Sequence, residues 1–251
     1  MKKLKILSYN IHKGFSGGLA KYTLHEMREE IRRLHPDLIF LQEVHGHHGG
    51  HKKRIKNWAD GSQFEFIAEG LWPHFSYGKN SVYPKGHHGN AILSKFPILS
   101  WENSDISKHR FERRGLLHAV IQISKSLPPL HAVCVHLGLF ESGRQKQLKE
   151  LTKRIVSMVP KKNLLVAAGD FNDWNEKATP SMNKLGLRDA YFKVHGEHAR
   201  TFPSFFPVLK LDRIYCRGFE ISLAEVLSRP PWNKLSDHAA LHVNLDIPQK
   251  K

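Results

Sequence analysis

The most constraining feature of the chain is the stretch from Leu164 to Asn172, where a short apolar run leads directly into Gly-Asp-Phe-Asn. An apolar run of this length that ends at a glycine predicts a buried β-strand. Asp170 and Asn172 alternate with Phe171, so a continuing strand would direct both polar side chains to one side. An Asx-type turn after the strand explains the same residues equally well, and the stretch alone does not decide between the two interpretations.

The polar end of this strand suits phosphoryl chemistry. Open α/β folds bind their ligands at the carboxyl ends of buried strands. A carboxylate there, Asp170, could orient or deprotonate an attacking water, and the carboxamide of Asn172 could donate hydrogen bonds to a charged transition state. The stretch therefore predicts a candidate catalytic site at the edge of a sheet.

Further apolar runs also end in, or follow, polar residues of the kinds that bind metals and phosphates. These residues are Asn10, Glu43, His136, Asp237 and His238. Asp212 is predicted to lie in the middle of another strand, from Leu209 to Tyr215. Because a charge inside an apolar strand needs a partner, we expect Asp212 to pair with His238, with Arg213 as the alternative.

In this order along the chain, the motifs resemble the endonuclease/exonuclease/phosphatase superfamily. Its members are metal-dependent phosphohydrolases and include deoxyribonucleases, abasic-site endonucleases, sphingomyelinases and inositol-polyphosphate phosphatases. The resemblance runs from Leu4 to about Leu245 and is greatest to uncharacterised bacterial members. It implies an α/β fold of the four-layer sandwich type, with two packed mixed β-sheets flanked by helices. It also implies a single catalytic domain of this type over residues 1–251.

The resemblance implies a divalent metal cofactor, Mg²⁺, with Mn²⁺ as an alternative. Hard cations of this kind prefer oxygen ligands. Glu43 is the first choice of ligand, and Asn10 and Asp237 are expected beside it, binding directly or through water. The sequence has no Cys/His quartet of the kind that holds structural zinc.

The same resemblance distributes the catalytic roles. Asp170 would orient or deprotonate the attacking water, and Asn172 and His136 would hold phosphate oxygens. Some members of the superfamily carry Tyr at the position that we match to His136, so this chain is similar to the branch with His. Asp212 would orient His238, which either transfers a proton or contacts the phosphate; both roles stay open.

Composition points to the class of partner. The chain has a formal net charge of +16 with histidine neutral, and it contains 18 histidines. This balance predicts a polyanionic, phosphate-containing substrate: a phospholipid head group, a small phosphodiester or nucleic acid, with an anionic membrane surface as a further partner. A basic surface with no specific partner is the alternative. Three functions follow: a phosphodiesterase, a DNA or RNA nuclease, or a catalytically silent module that binds polyanions.

Other features predict the setting of the protein. The two cysteines, Cys134 and Cys216, lie in apolar runs without metal-type spacing, so we expect buried thiols. The N-terminus begins like a secretory leader, but its apolar run is short and is interrupted by polar residues such as Asn10. No stretch approaches the length of a membrane span. These features favour a cytoplasmic protein, and we expect a monomer.

Local patterns give expectations for individual elements. Thr23 is predicted to begin a helix with a capping box. Residues 64–68 are predicted to form a strand and residues 45–51, which contain four histidines, a solvated loop that lines the cleft, with metal binding as the alternative. Trp72 is expected in the core, although aromatic residues near basic ones can also stack on bases. The arginine-rich segment 110–114 is a candidate for phosphate contact.

Overall fold

The structure, a computed structural model, describes residues 3–19, 21–108 and 112–247. Its strands are β1 (Lys3–Asn10), β2 (Leu38–His48), β3 (His74–Tyr83), β4 (Gly86–Ser94), β5 (Ile98–Asp105), β6 (Gly115–Ile121), β7 (Leu130–His136), β8 (Leu165–Asp170), β9 (Arg188–Asp189), β10 (Asp212–Arg217), β11 (Glu220–Leu227) and β12 (Ala240–Asp246). Its α-helices are α1 (Leu24–Leu34), α2 (Gly49–Arg54), α3 (Gln63–Ala68), α4 (Glu141–Met158), α5 (Ala178–Lys184) and α6 (Ala190–His195). No helix in these ranges combines enough length with enough apolar character to cross a membrane.

Two six-stranded mixed sheets share one plan. The strand orders are β11-β12-β1-β2-β4-β3 and β5-β6-β7-β8-β10-β9. Each sheet has one parallel pair near its centre, β1 with β2 and β7 with β8, and its other pairs are antiparallel. Parallel neighbours need a crossover connection, and the helices α1 and α4 lie in those two connections. The parallel pairs set the edge of each sheet at which the polar residues gather.

Three apolar clusters separate four layers. The central cluster joins residues of both sheets, for example Phe40 and Ile92 of the first with Cys134 and Val166 of the second. A second cluster packs the first sheet against α1 and α3, and a third packs the other sheet against α4 and α5. The predicted four-layer α/β sandwich is therefore confirmed, and Cys134 and Cys216 are buried free thiols.

Gly169 permits the close approach of β7 and β8. Its φ is +144°, a conformation that L side chains rarely adopt, and a Cβ there would lie 2.0 Å from the carbonyl oxygen of Val135. No larger residue fits without moving the neighbouring strand. The tight pairing brings His136 directly opposite Asp170 in the register of the two strands.

One predicted strand is wrong, because residues 63–68 form helix α3. Ser62 caps this helix: its Oγ accepts from the Glu65 N–H, and the Glu65 carboxylate accepts from the Ser62 N–H. Phe64, Ile67 and Ala68 are buried, which is helical spacing rather than the alternation of a strand. Ser62 and Glu65, three positions apart, are the sequence signal for this helix start.

The predicted loop at 45–51 is also wrong, and so is one predicted cap. β2 continues through His48 by pairing with β4, and α2 follows directly. The histidines of β2 thus lie beside His87 and His88 of β4 in the first sheet. Thr23 lies at the start of α1 but does not cap it, because its hydroxyl donates to the carbonyl of Leu235 at 2.6 Å. Trp72 is buried as expected, and its indole N–H donates to Pro36 O.

A buried histidine pair on the second sheet should make folding sensitive to acid. His118 Nε2 lies 2.9 Å from His131 Nδ1, and the amide nitrogen of Asn163 lies 3.2 Å from His131 Nε2. Burial, with help from His118 and Arg217, lowers the pKa of His131 to about 4. Burial also lowers the pKa of His118.

Because the folded pKa of His131 is below its unfolded value, the unfolded chain binds the proton first. Stability is therefore lost as pH falls from about 6.5 to about 4, by at most about 3 kcal/mol. We expect His131→Gln to reduce the difference in free energy of unfolding between pH 7.5 and pH 5, measured by urea denaturation. His74→Gln, at a partly exposed histidine, is the matched control. An unchanged difference in the His131 variant would show that this pair does not titrate on unfolding.

Candidate active site

The polar strand ends of both sheets meet at one edge of the sandwich. β1 ends at Asn10, β7 at His136 and β8 at Asp170. Two antiparallel strands begin at this edge: β10 starts with Asp212, paired with Asp170, and β12 starts just after His238. The predicted strand around Asp212 therefore starts later than expected, and this places the carboxylate at the tip rather than inside the sheet.

Asp170 is the centre of the cluster. Its Oδ2 accepts from the Asn10 side chain at 3.2 Å, and it lies 3.5 Å from His136 Nε2 and 3.7 Å from His238 Nε2. Burial raises the pKa of Asp170 to about 6, with Asp212 adding to the increase and His238 opposing it. The carboxylate is thus ionised at neutral pH but basic enough to accept a proton.

Asn172 forms a turn beyond the strand. Its φ is +48°, and its backbone N–H donates to Asp170 Oδ1 at 2.9 Å, which is the Asx-type interaction that the sequence left open. One amide N–H of Asn172 donates to the carbonyl of Leu137 at 2.9 Å and so fixes the loop after His136. This bond engages one of the two amide hydrogens of Asn172.

His238 is held by two carboxylates. Its Nδ1 lies 2.8 Å from Asp212 Oδ2, which also accepts from the Thr201 hydroxyl at 2.5 Å. Burial alone would lower the pKa of His238, but Asp212 and Asp170 raise it to about 10. The imidazole is therefore a buried cation at neutral pH, paired with Asp212 as the sequence analysis expected.

Glu43 lies at an irregularity of β2 with a left-handed φ of +56°. Its carboxylate is 2.5 Å from the Lys13 ammonium. Burial alone would raise the pKa of Glu43, but the charge and the hydrogen bond of the Lys13 ammonium help to lower it well below its usual range. Asp237, the other carboxylate on this side, lies 3.4 Å from His12 Nδ1.

These residues fit a hard divalent cation. Glu43 and Asp237 offer carboxylate oxygens and Asn10 offers an amide oxygen, which are the donors that Mg²⁺ and Mn²⁺ prefer. Each carboxylate contacts a basic side chain: Glu43 contacts Lys13, and Asp237 contacts His12. The backbone N–H of His12 also donates to the Asn10 amide oxygen.

A second group also has metal-like spacing. Donor atoms of Asp170, Asp212 and His238 all lie within 4.8 Å of one another. Yet the pKa of His238 is raised to about 10 by its carboxylate neighbours, so the imidazole carries a proton on each nitrogen at neutral pH. A metal ligand must be deprotonated. In this structure the trio holds a proton, and a metal ion at this position would have to displace it.

Sequence reasoning missed several residues at the site. Lys13 and His12 follow the Asn10 strand end by only two or three positions, so their proximity was a usable signal. Burial lowers the pKa of His88 in β4 to about 4; the charge of Lys13 lowers it further, and the charge of Glu43 opposes this. Thr201 gave no local signal. In the segment 110–114, Arg110 and Phe111 lie outside the described residues.

Arg114, which belongs to the same predicted phosphate-binding segment, is described. Its Nε donates to the carbonyl of Leu137 at 3.1 Å, and its guanidinium pairs with Glu112 at 3.2 Å. The charge of Arg114 helps to lower the pKa of His136 well below its usual range, after burial, so His136 is neutral at pH 7. Arg114 therefore contributes positive potential to the site while most of its donors are engaged by the protein.

Replacing Glu43 by Gln is expected to weaken binding of Mn²⁺ about tenfold or more, because a neutral amide replaces the main anionic oxygen donor. Isothermal titration calorimetry of the purified proteins measures this without any substrate. The matched control is Glu29→Gln, at an exposed carboxylate on α1. Equal affinities in the wild type and the Glu43 variant would remove Glu43 from the metal site.

Comparison with known proteins agrees with the fold and the strand-tip motifs. The sequence profile described as Endonuclease/Exonuclease/phosphatase family matches residues 7–238. The uncharacterised protein YbhP of Escherichia coli K12 is 43% identical over 244 residues, which cover 97% of this chain and 96% of YbhP.

Two solved structures share the fold. An endonuclease/exonuclease/phosphatase from Beutenbergia cavernae DSM 12333 gives a TM-score of 0.77 at 18% identity, over 98% of this chain and 72% of that one. A mannosyl-6-phosphatase of Bacteroides thetaiotaomicron VPI-5482 gives 0.72 at 17% identity, over 97% of this chain and 100% of that one. Identities this low show the fold alone, but the profile match covers the segment from β1 to His238 that carries all eight site residues. On that match, the chain belongs to the Endonuclease/Exonuclease/phosphatase family.

Proposed function

We propose that this protein is a divalent-metal-dependent hydrolase of phosphodiesters. The observation that carries the proposal is the arrangement around Asp170, where a buried carboxylate of raised pKa lies between Asn10, neutral His136 and cationic His238. A base and an acid with pKa values on opposite sides of neutrality are suited to proton transfer in both directions at one phosphorus centre.

Asp170 serves as the base in this proposal. Its two oxygens are fixed by Asn10 and by the backbone of Asn172, so the carboxylate is oriented before a substrate arrives. A water in contact with it would be directed at the phosphorus atom, and the carboxylate would accept its proton as the new P–O bond forms. His136 and the remaining amide hydrogen of Asn172 would then donate to the phosphate oxygens.

His238 serves as the cationic partner. The protonated ring can donate to a phosphate oxygen or protonate the leaving alkoxide, and Asp212 and Thr201 keep it in one orientation. An alkoxide needs a proton to leave, which favours esters whose leaving group has a high pKa. Glu43, Asn10 and Asp237 would hold Mg²⁺ or Mn²⁺, whose chemistry is to neutralise charge on the phosphoryl oxygens.

The substrate is proposed to be a polyanion or a molecule at a polyanionic surface, because the chain carries 39 basic and 23 acidic side chains. The mannosyl-6-phosphatase of the same fold acts, by its name, on a phosphorylated sugar. A phosphomonoester therefore belongs in any test of this protein. A nuclease activity is supported by the same positive charge and is the main alternative.

A substrate panel tests the proposal. Bis(p-nitrophenyl) phosphate, p-nitrophenyl phosphate, supercoiled plasmid and phosphatidylglycerol vesicles would each be incubated with Mg²⁺, with Mn²⁺ and with EDTA. We expect diester hydrolysis that requires the metal and is greatly reduced in Glu43→Gln but not in Glu29→Gln. Plasmid nicking with the same requirements would assign the protein to the nucleases. No metal-dependent turnover on any substrate would reject the enzymatic proposal in favour of a silent polyanion-binding module.

A further inference from the structure

Exposed apolar side chains are concentrated beside the site. Among the described residues, fourteen large apolar side chains are exposed, and seven of them lie on three loops. We name these seven the apolar rim: Leu139, Phe140, Trp174, Phe205, Phe206, Val208 and Leu209. The other seven are spread over β3, β5, α4 and α6, with no more than two on any element. Isolated exposed apolar residues are ordinary, but a concentration on three loops indicates an interaction surface.

The three loops are joined to one another by contacts. Arg144 donates to the carbonyl oxygens of Gly138 and Leu139, and its guanidinium lies over the Trp174 ring at 4.5 Å, so it joins the first loop to the second. The second loop meets the third where Glu176 pairs with Lys210 at 2.5 Å. The three loops that carry the rim are therefore neighbours.

The same three loops adjoin candidate catalytic residues. The first follows His136 directly, the second begins at Asp170, and the third leads into Asp212. The third loop also touches two further site residues: the Phe202 ring lies 5.1 Å from the His238 ring, and the Ser204 N–H donates to the Asp237 carbonyl. A surface that engages the rim would consequently lie at the mouth of the site.

The exposure of the third loop is built into its structure. The N–H groups of Val208 and Leu209 both donate to the carbonyl of Phe202, and the Ser204 hydroxyl donates to Ser236 O at 2.6 Å. These bonds close the loop and hold its base against the site. Phe205 and Phe206 at its tip are left 74% and 70% exposed. Because the base of the loop is already held by these bonds, little backbone conformational entropy is lost when a partner covers the two rings.

We propose that the apolar rim inserts into the headgroup region of an anionic phospholipid bilayer and holds the active site against its surface. The side-chain types favour this occupant. Phe, Trp and Leu are the residues that partition into the bilayer interface. The aliphatic members, Leu139, Val208 and Leu209, have no π-face, so they would add nothing to the stacking of nucleic-acid bases.

Charge supports the same occupant. Lys177 and Lys210 on the rim loops are paired with Glu141 and Glu176, so the loops themselves are close to neutral. The attraction comes from the excess of basic side chains behind the net charge of +16, of which those within about a Debye length of the anionic surface contribute. The bilayer would thus be approached electrostatically and retained by apolar contact. The further step, that the substrate is a lipid headgroup diester, rests on the proposed function.

Flotation with vesicles tests the docking surface without requiring turnover. Wild type, the rim variant Phe205→Ser/Phe206→Ser, and the control Val82→Ser/Val156→Ser would be mixed with vesicles of equal parts phosphatidylglycerol and phosphatidylcholine. The two control valines are each 67% exposed and lie away from the rim loops. We expect the rim variant to bind about tenfold or more weakly than the wild type, and the control to bind like the wild type. Circular dichroism melting would verify that each variant is folded.

Several results would overturn the proposal. Absence of wild-type binding to anionic vesicles, or equal binding by the rim variant and the control, would reject membrane docking. If the wild type binds a single-stranded oligonucleotide but not vesicles, and the rim variant binds neither, the rim is a stacking surface for nucleic acid. Because vesicle binding needs no catalysis, failure of the proposed hydrolase leaves this result standing. Conversely, turnover of the soluble diester survives a failure of docking.

Discussion

Asp170→Asn is expected to lower kcat/KM for metal-dependent diester hydrolysis by about 10²–10⁴-fold. The amide keeps the shape of the carboxylate but cannot accept a proton from the attacking water. The loss should fall mainly on kcat, because a base acts on the transition state more than on the bound substrate. Steady-state kinetics on bis(p-nitrophenyl) phosphate at saturating Mn²⁺ would measure it.

Folding should not be the cause of that loss. Burial raises the pKa of Asp170 to about 6, so its ionised form at pH 7 costs folding free energy, and an amide removes that cost. We therefore expect the melting temperature of the Asp170 variant to equal or exceed that of the wild type at pH 7. Asp246→Asn, at the far end of β12, is the control for loss of a carboxylate. Retention of wild-type kcat in the Asp170 variant would show that another group activates the water.

The strand-end residues could be predicted because each one follows or precedes a continuous apolar run. Asn10, His136 and Asp170 are the last residues of β1, β7 and β8. The parallel pairing of β7 with β8, and the packing of that sheet against the sheet of β1, then bring the ends together. This topology came from the family resemblance, since local patterns do not specify which strands are neighbours. The profile match and the four layers confirm the family and the fold, and the roles of the individual residues stay predictions.

Contacts between distant segments could not be predicted. Thr201 donates to Asp212, and Lys13 reaches Glu43 thirty positions away, and neither pairing leaves a trace in local periodicity. The left-handed φ of Glu43 has the same origin: it is imposed by the irregular pairing of β2 with β4 rather than by a preference of glutamate. Tertiary context decides these features, and a local pattern carries no information about them.

The Asx-type turn at Asn172 illustrates a different limit. Gly-Asp-Phe-Asn is compatible with a structural turn and with a catalytic strand end. The structure contains the turn, and it does not exclude a catalytic role, because the backbone N–H of Asn172 fixes the carboxylate of Asp170. Turn formation orients the candidate base, so local structure and chemistry are the same feature. A sequence pattern that favours a turn is therefore no argument against a site.

His238→Gln is expected to reduce kcat/KM by about 10²–10⁴-fold, since it removes the cation and proton donor of the site. His242→Gln is the matched control, because His242 is also buried near the start of β12 but pairs with Glu225 away from the site. Wild-type activity in the His238 variant would exclude the ring from the reaction.

Asp212→Asn tests the origin of the charge on His238. Asp212 is the largest influence that raises the pKa of His238 to about 10, against the lowering effect of burial. Without the Asp212 carboxylate the pKa of His238 falls, so the imidazole loses its proton at a lower pH. The alkaline limb of the kcat/KM profile, near pH 10 in the wild type, should therefore move toward neutrality, so the variant loses more activity at about pH 8.5 than at about pH 6.5. A parallel loss at all pH values would mean that Asp212 orients the ring without controlling its charge, and that Asp170 alone keeps the imidazole protonated.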